Sequence, residues 1–201
     1  MKVFIVYCHP SEDSLTRHIR DSFIQGLESK GHSCILSDLY KMNFKTDISE
    51  AEYIREACYQ KELPVPEDVL TEQEKINASD VIAFIYPIFW SEAPAKLKGW
   101  FDRVWTFGFA YGENRTMKQL EKALVLVSAG NTTEYFHSTG LGEAMKKVFL
   151  EDRLFDRVKH KEMVFFDATS RELEERKLNW DKHLNRAFDI GAGLSLAETQ
   201  T

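Results

Sequence analysis

The sequence predicts an α/β fold, an open five-stranded parallel sheet with strand order 2-1-3-4-5 and helices on both faces. Five short apolar runs recur along the chain, as is typical of parallel strands buried on both faces; they cover residues 3–8, 34–39, 81–86, 123–129 and 163–168. Helical patterns separate these runs, and a regular alternation of strand and helix indicates a doubly wound sheet. The order is assigned because five strands that alternate in this way most often take it.

The helices are predicted from apolar residues that return at helical spacing. In the first helix, residues 14–30, these are Leu15, Ile19, Phe23 and Leu27. Residues 40–66 contain two prolines and are too long for a turn, so we expect a surface excursion whose role the sequence leaves open. The remaining helices are predicted over residues 67–78, 95–107, 141–155 and 170–188.

Length and composition favour a single domain. The chain has 201 residues, of which 43% are hydrophobic and 29% charged, a balance typical of one globular domain. We expect this domain to cover residues 1–190, and the small and polar stretch 191–201 to form a flexible C-terminal tail.

Charge and cysteine usage exclude several classes of protein. A net charge of −6 argues against a nucleic-acid-binding protein, which would carry a basic surface. No apolar run is long enough to span a membrane, and the N-terminal residues lack the pattern of a signal peptide. The three cysteines are scattered, so we expect reduced thiols in the cytoplasm, with neither a disulfide framework nor a metal site.

The loop after the first strand has the composition of a phosphate site. Ligands of an open α/β sheet bind beyond the carboxyl ends of the strands, where strand order reverses, here between strands one and three. The first of these loops offers His9, Ser11, Ser14 and Thr16 at the start of a helix. Hydroxyls, an imidazole and unpaired N–H groups at a helix N-terminus suit a phosphate. The alternative is that Ser14 only caps the helix and His9 is a surface histidine.

The loop after the third strand carries aromatic rings and almost no charge. Pro87 ends the strand and Pro94 is suited to begin the next helix, so Phe89 and Trp90 would lie on a stiff turn, placed to stack on a planar ring system. Packing in the core or at a dimer interface is the alternative. The aromatic residues that follow are too many for one helix to bury, which predicts a homodimer; they are Trp100, Phe101, Trp105, Phe107 and Phe109.

The loop after the fourth strand combines small residues with two polar rings. Small residues let the backbone approach a ligand closely, and Asn131 tolerates a positive φ. Tyr135 and His137 would supply hydrogen-bond donors there, or else are ordinary surface residues.

Residues 87–104 read PIFWSEAPAKLKGWFDRV and are followed by GFAYG at 108–112. This pattern resembles the flavin-dependent NAD(P)H:quinone reductases, the family of DT-diaphorase, the drug-activity modulator B enzymes and the ancillary flavoproteins of potassium-efflux systems. IVYCHPSEDSLT at 5–16 and SDLYKMNF at 37–44 extend the resemblance. It implies a flavodoxin-like fold, a homodimer with active sites at its interface, and ping-pong hydride transfer from NADH or NADPH to quinones or to similar acceptors such as azo or nitroaromatic compounds.

The resemblance also implies which residues bind the flavin. Arg176 resembles a position near the adenine of FAD, so FAD is favoured and FMN is permitted. Three further sets are implied: His9, Leu15 and Thr16 at the phosphate; Ile88, Phe89, Trp90 and Ser91 along one side of the isoalloxazine ring, with their backbone N–H groups at its polar edge; and Ser128, Ala129, Gly130 and Asn131 in a small-residue loop.

The chain departs from this family in the loop after strand four. Many members place a Tyr and a His there, which stabilise charge on the reduced flavin. Here Phe136 falls near the position of the Tyr, and the segment 140–142 reads Gly-Leu-Gly without a His. Tyr135 or His137 would have to substitute, and the sequence does not decide between them.

Two other classes of protein with this fold fail on the sequence. A phospho-receiver domain needs acidic residues at the ends of strands one and three, where this chain has Cys8-His9 and Tyr86-Pro87. A cysteine phosphatase needs an arginine six residues after Cys8, where Ser14 stands. The alternative that stays open is a regulatory flavoprotein that binds and gates a transporter or another membrane-protein partner, with reductase activity secondary.

Overall fold

Five parallel strands form one sheet in the order β2-β1-β3-β4-β5 in the computed structural model, which describes residues 1–170 and 176–195. All neighbouring pairs are parallel. The predicted fold class and strand order are confirmed, and the order reverses between β1 and β3, which places the expected binding edge at the ends of these two strands. The strands are β1 Lys2–Tyr7, β2 Ser33–Asp38, β3 Val81–Pro87, β4 Leu120–Ser128 and β5 Val158–Phe166.

Helices cover both faces of the sheet. The π-helix Lys147–Leu154 directly follows α6, and a short 3-10 helix, Phe155–Arg157, leads into β5. Within the described residues, no helix combines the length and apolar character needed to cross a bilayer. The α-helices are α1 Leu15–Ser29, α2 Glu50–Ala57, α3 Glu67–Asn77, α4 Ala95–Val104, α5 Thr133–Ser138, α6 Leu141–Lys146 and α7 Arg176–Ala192.

The two faces of the sheet bury two separate hydrophobic clusters, because side chains of a strand alternate between faces. Phe4 and Val6 of β1 pack in the cluster that contains residues of α3, α4 and the π-helix. Val3 and Ile5 of the same strand pack in the cluster of α1 and α7. The strand ends are therefore held between two helical layers, and the loops that follow them meet at one edge.

Residues 40–66 are more than the surface excursion that we expected. They contain α2, and the buried Arg103 of α4 holds them in place: its Nε donates to Glu52 at 2.7 Å and one terminal nitrogen donates to the carbonyl of Lys45 at 2.9 Å. The guanidinium also makes two parallel bonds with the carboxylate of Asp68, of 2.5 and 3.0 Å. These bonds from Arg103 hold the pKa of Asp68 below its ordinary value. The connection is thus packed against α4 by buried ionic contacts.

The C-terminal helix extends beyond the boundary that we predicted at residue 190. Helix α7 continues to Ala192, and Leu194 is buried in the cluster of α1 and α7. Gly26 of α1 lies so close to α7 that a Cβ would be 2.1 Å from the carbonyl oxygen of Phe188, so the two helices touch through backbone. Of the expected tail, residues 196–201 lie outside the described residues, as do residues 171–175 of the helix predicted over 170–188; Ser170 is not helical.

The aromatic residues that suggested a dimer are largely buried within the protein. Trp100, Phe101 and Phe109 are buried, and the ring of Phe101 packs 5.1 Å from Phe84 and 5.4 Å from Phe149. Three of the five rings are covered within one subunit and Trp105 and Phe107 are half-buried, so the number of rings no longer predicts a second subunit. The homodimer itself stays a prediction, now resting on the family resemblance alone.

Candidate active site

Ser128, at the carboxyl end of β4, joins the loops that carry the predicted site. Its carbonyl accepts a hydrogen bond from the backbone N–H of Ile88, at 2.9 Å, and its Oγ lies 2.7 Å from Oγ1 of Thr16. The next residue, Ala129, donates its N–H to the carbonyl of Phe166 at 2.9 Å. One residue thereby fixes the spacing between the first turn of α1, the end of β3 and the end of β4, as the topology predicts.

The loop after β1 presents hydrogen-bond donors around the start of α1. Ser14 is the N-cap, and its side chain accepts from the N–H of Arg17 at 3.2 Å, so the capping alternative is correct for this residue. The N–H groups of Leu15 and Thr16 have no acceptor among the described residues. These N–H groups, together with the helix dipole, favour an anion at this position.

His9 is held by a local turn that leaves one ring nitrogen available. Its Nδ1 lies 2.9 Å from the backbone nitrogen of Ser11 and 3.1 Å from the carbonyl oxygen of the same residue. A neutral ring can use only one of these contacts, and we assign the shorter one, in which Nδ1 accepts the N–H and the proton is on Nε2. The Ser11 hydroxyl is used within the loop, where it accepts the N–H of Asp13 at 3.2 Å. Burial lowers the pKa of His9 below 6.5, although the bond that the protonated ring would donate from Nδ1 to the carbonyl of Ser11 opposes the shift. His9 is therefore a neutral imidazole at pH 7 with Nε2–H as its free donor.

The loop after β3 is a two-residue hairpin turn in a strained conformation. The N–H of Phe89 donates to the carbonyl of Glu92 at 2.9 Å, and the reverse bond measures 3.0 Å. The two residues between them, Trp90 and Ser91, have φ of 53° and 58°. A turn of this type normally carries Asn or Gly at these positions. Side chains with a Cβ cost of order 1–3 kcal/mol each there, and such strain is concentrated at functional sites.

The side chains of Phe89 and Trp90 face solvent, and the alternative that they pack in the core is wrong. Trp90 is 100% exposed and Phe89 45% exposed, so neither packs in the core. The N–H groups of Ile88 and Phe89 are already bonded, which contradicts the expectation that all four N–H groups are available; those of Trp90 and Ser91 have no acceptor among the described residues. Pro87 is the last residue of β3, paired with Ser128.

The loop after β4 is clamped by the loop that follows β5. The carbonyls of Ala129 and Asn131 accept N–H groups from Thr169 and Ala168, both at 3.0 Å. The N–H groups of Gly130 and Asn131, in contrast, have no acceptor in the described part of the chain. A Cβ on Gly130 would meet only the side chain of Ser170, at 3.9 Å, so the space beside Gly130 is open. A ligand can approach the backbone closely here.

Helix α5, absent from the sequence prediction, carries Tyr135 and His137. Oδ2 of Asp167 accepts both the N–H and the hydroxyl of Thr133, each at 2.7 Å, and anchors the start of this helix. Burial alone would raise the pKa of Asp167, but the bonds from Thr133 outweigh it and lower the pKa.

Tyr135 and His137 point to different sides of α5. Phe136 between them is buried against Phe165, at 5.4 Å, and on a helix its two neighbours diverge by about 200°. The pKa of Glu143, in α6, is lowered by Lys146 and, more weakly, by the charge of His137. Tyr135 is in the first turn, and side chains of a helix lean towards its N-terminus, here towards Asn131. The two cannot act as a pair at one place.

Arg176 begins α7 and stacks on a ring platform beside α1. Its guanidinium carbon is 5.4 Å from the centre of the Trp180 ring, and that ring is 5.4 Å from His18. Arg176 is thus close to the first turns of α1, on the same face of the sheet as the expected phosphate site.

Sequence reasoning missed three residues that support these loops: Glu92, Arg153 and Asp167. The two terminal nitrogens of Arg153 donate to the two carboxylate oxygens of Glu92 at 2.9 and 3.0 Å. No pattern in the sequence links residues 61 positions apart. No group of three or more His, Cys, Asp or Glu residues in the described ranges could hold a metal ion.

Comparison with known proteins gives concordant matches. A sequence model of the family described as flavodoxin-like fold matches residues 1–187. The ribosyldihydronicotinamide dehydrogenase-like protein traD of Penicillium crustosum is 29% identical over 172 residues, 74% of this chain and 64% of that protein. Human ribosyldihydronicotinamide dehydrogenase (quinone) is 33% identical over 159 residues, 70% of this chain and 68% of that protein. The chain therefore spans about two thirds of the length of these curated relatives.

A solved structure matches over nearly the whole chain. NAD(P)H:quinone oxidoreductase from Methanothermobacter marburgensis has a TM-score of 0.89 and 42% identity, and the match covers 96% of each chain. On these matches, the 201-residue chain belongs to the flavodoxin-like family that contains the NAD(P)H:quinone oxidoreductases. The family suggested by the sequence motifs is confirmed.

The tautomer and the titration of His9 test the geometry of the first loop. In NMR spectra of the free protein, His9 should carry its proton on Nε2 and titrate below pH 6.5. Inorganic phosphate should raise the pKa of His9, because a nearby anion favours the imidazolium. By linkage, phosphate should bind more tightly as the pH falls through this titration. A proton on Nδ1, or a pKa unaffected by phosphate, would contradict the described site; His9→Asn assigns the resonance.

Proposed function

We propose that this protein is a flavin-dependent NAD(P)H oxidoreductase that transfers hydride by a ping-pong mechanism to quinones or to similar acceptors such as azo or nitroaromatic compounds. The observation that carries the proposal is a set of backbone N–H groups, at the ends of three neighbouring strands, that have no acceptor among the described residues. They belong to the α1 start (Leu15, Thr16), the turn after β3 (Trp90, Ser91) and the loop after β4 (Gly130, Asn131).

The donors fit the two polar parts of a flavin. The start of α1 and Nε2–H of His9 would hold the phosphate, since both favour negative charge. The N–H groups of the other two loops would face the carbonyl-rich edge of the isoalloxazine ring. Open space beside Gly130 admits the ring, and the fully exposed Trp90 offers an aromatic face next to it. When bound, this ring supplies the redox chemistry that the side chains lack.

The protein's own part in the reaction is binding, orientation and stabilisation of negative charge. Fixed N–H dipoles at the ring edge stabilise charge that develops there without having to reorganise. Tyr135 would add a hydroxyl donor from α5, because it leans towards Asn131, whereas His137 is about 200° away around the same helix. We assign the role of the missing family Tyr to Tyr135.

FAD is the proposed form of the cofactor, with FMN as the competing possibility. Arg176, Trp180 and His18 form a cation and ring platform next to α1. Such a platform suits stacking of an adenine, which FMN lacks. The proposal also includes a homodimer, as the family resemblance implies, and a cytoplasmic location, in keeping with three free cysteines.

Flavin binding and reduction test the proposal directly. Protein stripped of cofactor and titrated with FAD and with FMN should become yellow, with tighter binding of FAD. The bound flavin should bleach when NADH or NADPH is added without air, and quinone should restore the colour. Initial rates at varied donor and quinone should give parallel double-reciprocal plots.

Gly130→Val is the matched variant for this experiment. Its side chain should fill the space proposed for the ring and weaken flavin binding at least about tenfold. The thermal unfolding temperature of the flavin-free protein should stay near that of the parent, because a Cβ at this position meets only Ser170. A parent protein that binds neither flavin sinks the reductase proposal. Equal flavin affinity in parent and variant would show that the ring lies elsewhere.

Tyr135→Phe tests the proposed hydroxyl donor, with His137→Ala as its control. The reductive half-reaction, followed by stopped flow, should slow by up to about 10²-fold in Tyr135→Phe, as for loss of one oxyanion-hole donor. Flavin affinity should stay unchanged, because the lost hydrogen bond matters mainly in the reduced state. His137→Ala should react at the parent rate. If Tyr135→Phe also does so, the backbone donors alone stabilise the reduced ring.

A further inference from the structure

The Phe89–Glu92 turn, called the Trp90 turn below, has few attachments to the rest of the protein. Its two backbone hydrogen bonds are internal. On its N-terminal side, the N–H of Ile88 ties the chain to Ser128 of the sheet. On its C-terminal side, the ion pair between Glu92 and Arg153 attaches the turn to the π-helix; among the described residues, it is the side-chain polar contact from the turn to another element. One attachment is part of the sheet, and the other is a single pair of side chains.

Packing does not fix the position of this turn. Above it, Trp90 is fully exposed to solvent. Below it lies a cavity of about 90 Å³, lined on one side by Ile88, Ser91 and Glu92 and on the other by Met145 and Phe149. The turn thus has solvent on one side and a cavity on the other, and its strained φ values favour a more relaxed backbone.

Arg153, in contrast, is rigidly held. Its side chain is 9% exposed, and its guanidinium lies 5.5 Å from the ring centres of both Phe101 and Phe149. Its carbonyl accepts the indole N–H of Trp105 at 2.7 Å. It sits on the π-helix, a rare conformation that frequently marks functional sites. A fixed guanidinium that makes two parallel bonds imposes both distance and orientation on its carboxylate partner.

We propose that Arg153 is a positioning residue for the Trp90 turn, and that its bidentate ion pair with Glu92 holds this turn in the strained conformation that receives the flavin ring. The inference rests on the proposed function for the identity of the ligand, but its structural part stands on the free protein. Neither Arg153 nor Glu92 touches the proposed ring position; both act through the backbone of Trp90 and Ser91.

Loss of the ion pair has a specific consequence. The turn relaxes from positive φ, and the N–H groups of Trp90 and Ser91 rotate away from the ring edge. Flavin affinity then falls although every group that binds the phosphate is intact. Burial would raise the pKa of Glu92, but the bonds from Arg153 and from the N–H of Ala93 outweigh it and lower the pKa; the pair is therefore ionised at neutral pH.

The experiment compares Glu92→Gln with Asp68→Asn. The control removes the same kind of pair elsewhere, since Asp68 is 39% exposed and bound by the buried Arg103, while Glu92 is 45% exposed and bound by Arg153. Protein labelled with 5-fluorotryptophan gives one ¹⁹F resonance for each of the four tryptophans, and Trp90→Phe identifies that of Trp90. In the free protein, Glu92→Gln should shift or broaden the Trp90 resonance, and Asp68→Asn should not.

Flavin titrations of the same variants complete the test. Glu92→Gln should raise the FAD dissociation constant about tenfold, the effect expected for one charge-assisted contact, and Asp68→Asn should leave it unchanged even if both variants unfold at lower temperature. Arg153→Lys keeps the charge without the fork, and it should change the Trp90 resonance as Glu92→Gln does.

Two results would overturn the proposal: a Trp90 resonance at the parent position in both Glu92→Gln and Arg153→Lys, or equal changes in Asp68→Asn. If the parent protein binds no flavin, the proposed function fails, but the ¹⁹F comparison still decides whether the ion pair positions the turn.

Discussion

The geometry of the site depends on Ser128. Its carbonyl fixes the chain that leaves β3, its hydroxyl contacts Thr16 at the start of α1, and the adjacent Ala129 is bonded to the end of β5. Because the strands are buried on both faces, their ends cannot shift relative to one another without opening the core. The three loops that carry the free N–H groups are therefore held at fixed spacings by a polar contact at the edge of an apolar sheet.

The proposed site is made mostly of backbone, so it depends little on which side chains surround it. The donors at the ring edge are peptide N–H groups whose directions are set by φ and ψ, so side chains near them can vary without loss of the site. Phe136, which falls near the position of the Tyr expected from the resemblance, is buried against Phe165 and leaves the backbone donors as the main feature of the site. The site depends instead on the side chains that hold its loops in place: Asp167 anchors α5, and the ion pair of Arg153 with Glu92 holds the Trp90 turn.

The fold and the meeting of the loops that form the candidate site could be predicted from the sequence, because apolar periodicity reports burial directly and topology then fixes which loops meet. The left-handed backbone conformation of Trp90 and Ser91 could not be predicted, since neither residue type favours a positive φ. The pairing of Glu92 with Arg153 connects distant parts of the chain, and the helix predicted over 141–155 gave no sign that its second half is a π-helix. The aromatic residues near Trp100 misled for a related reason: their composition does not reveal that the sheet and Phe149 cover them.

The most direct test of the central claim, that the free N–H groups of three loops receive one flavin, is a crystal structure of the protein soaked with FAD. The account predicts a phosphate within hydrogen-bonding distance of the N–H groups of Leu15 and Thr16. It predicts the ring edge opposite those of Trp90, Ser91, Gly130 and Asn131. Density for the ring anywhere else, such as the groove lined by Trp105, Tyr111 and Arg157, with these N–H groups left unbonded, would contradict it.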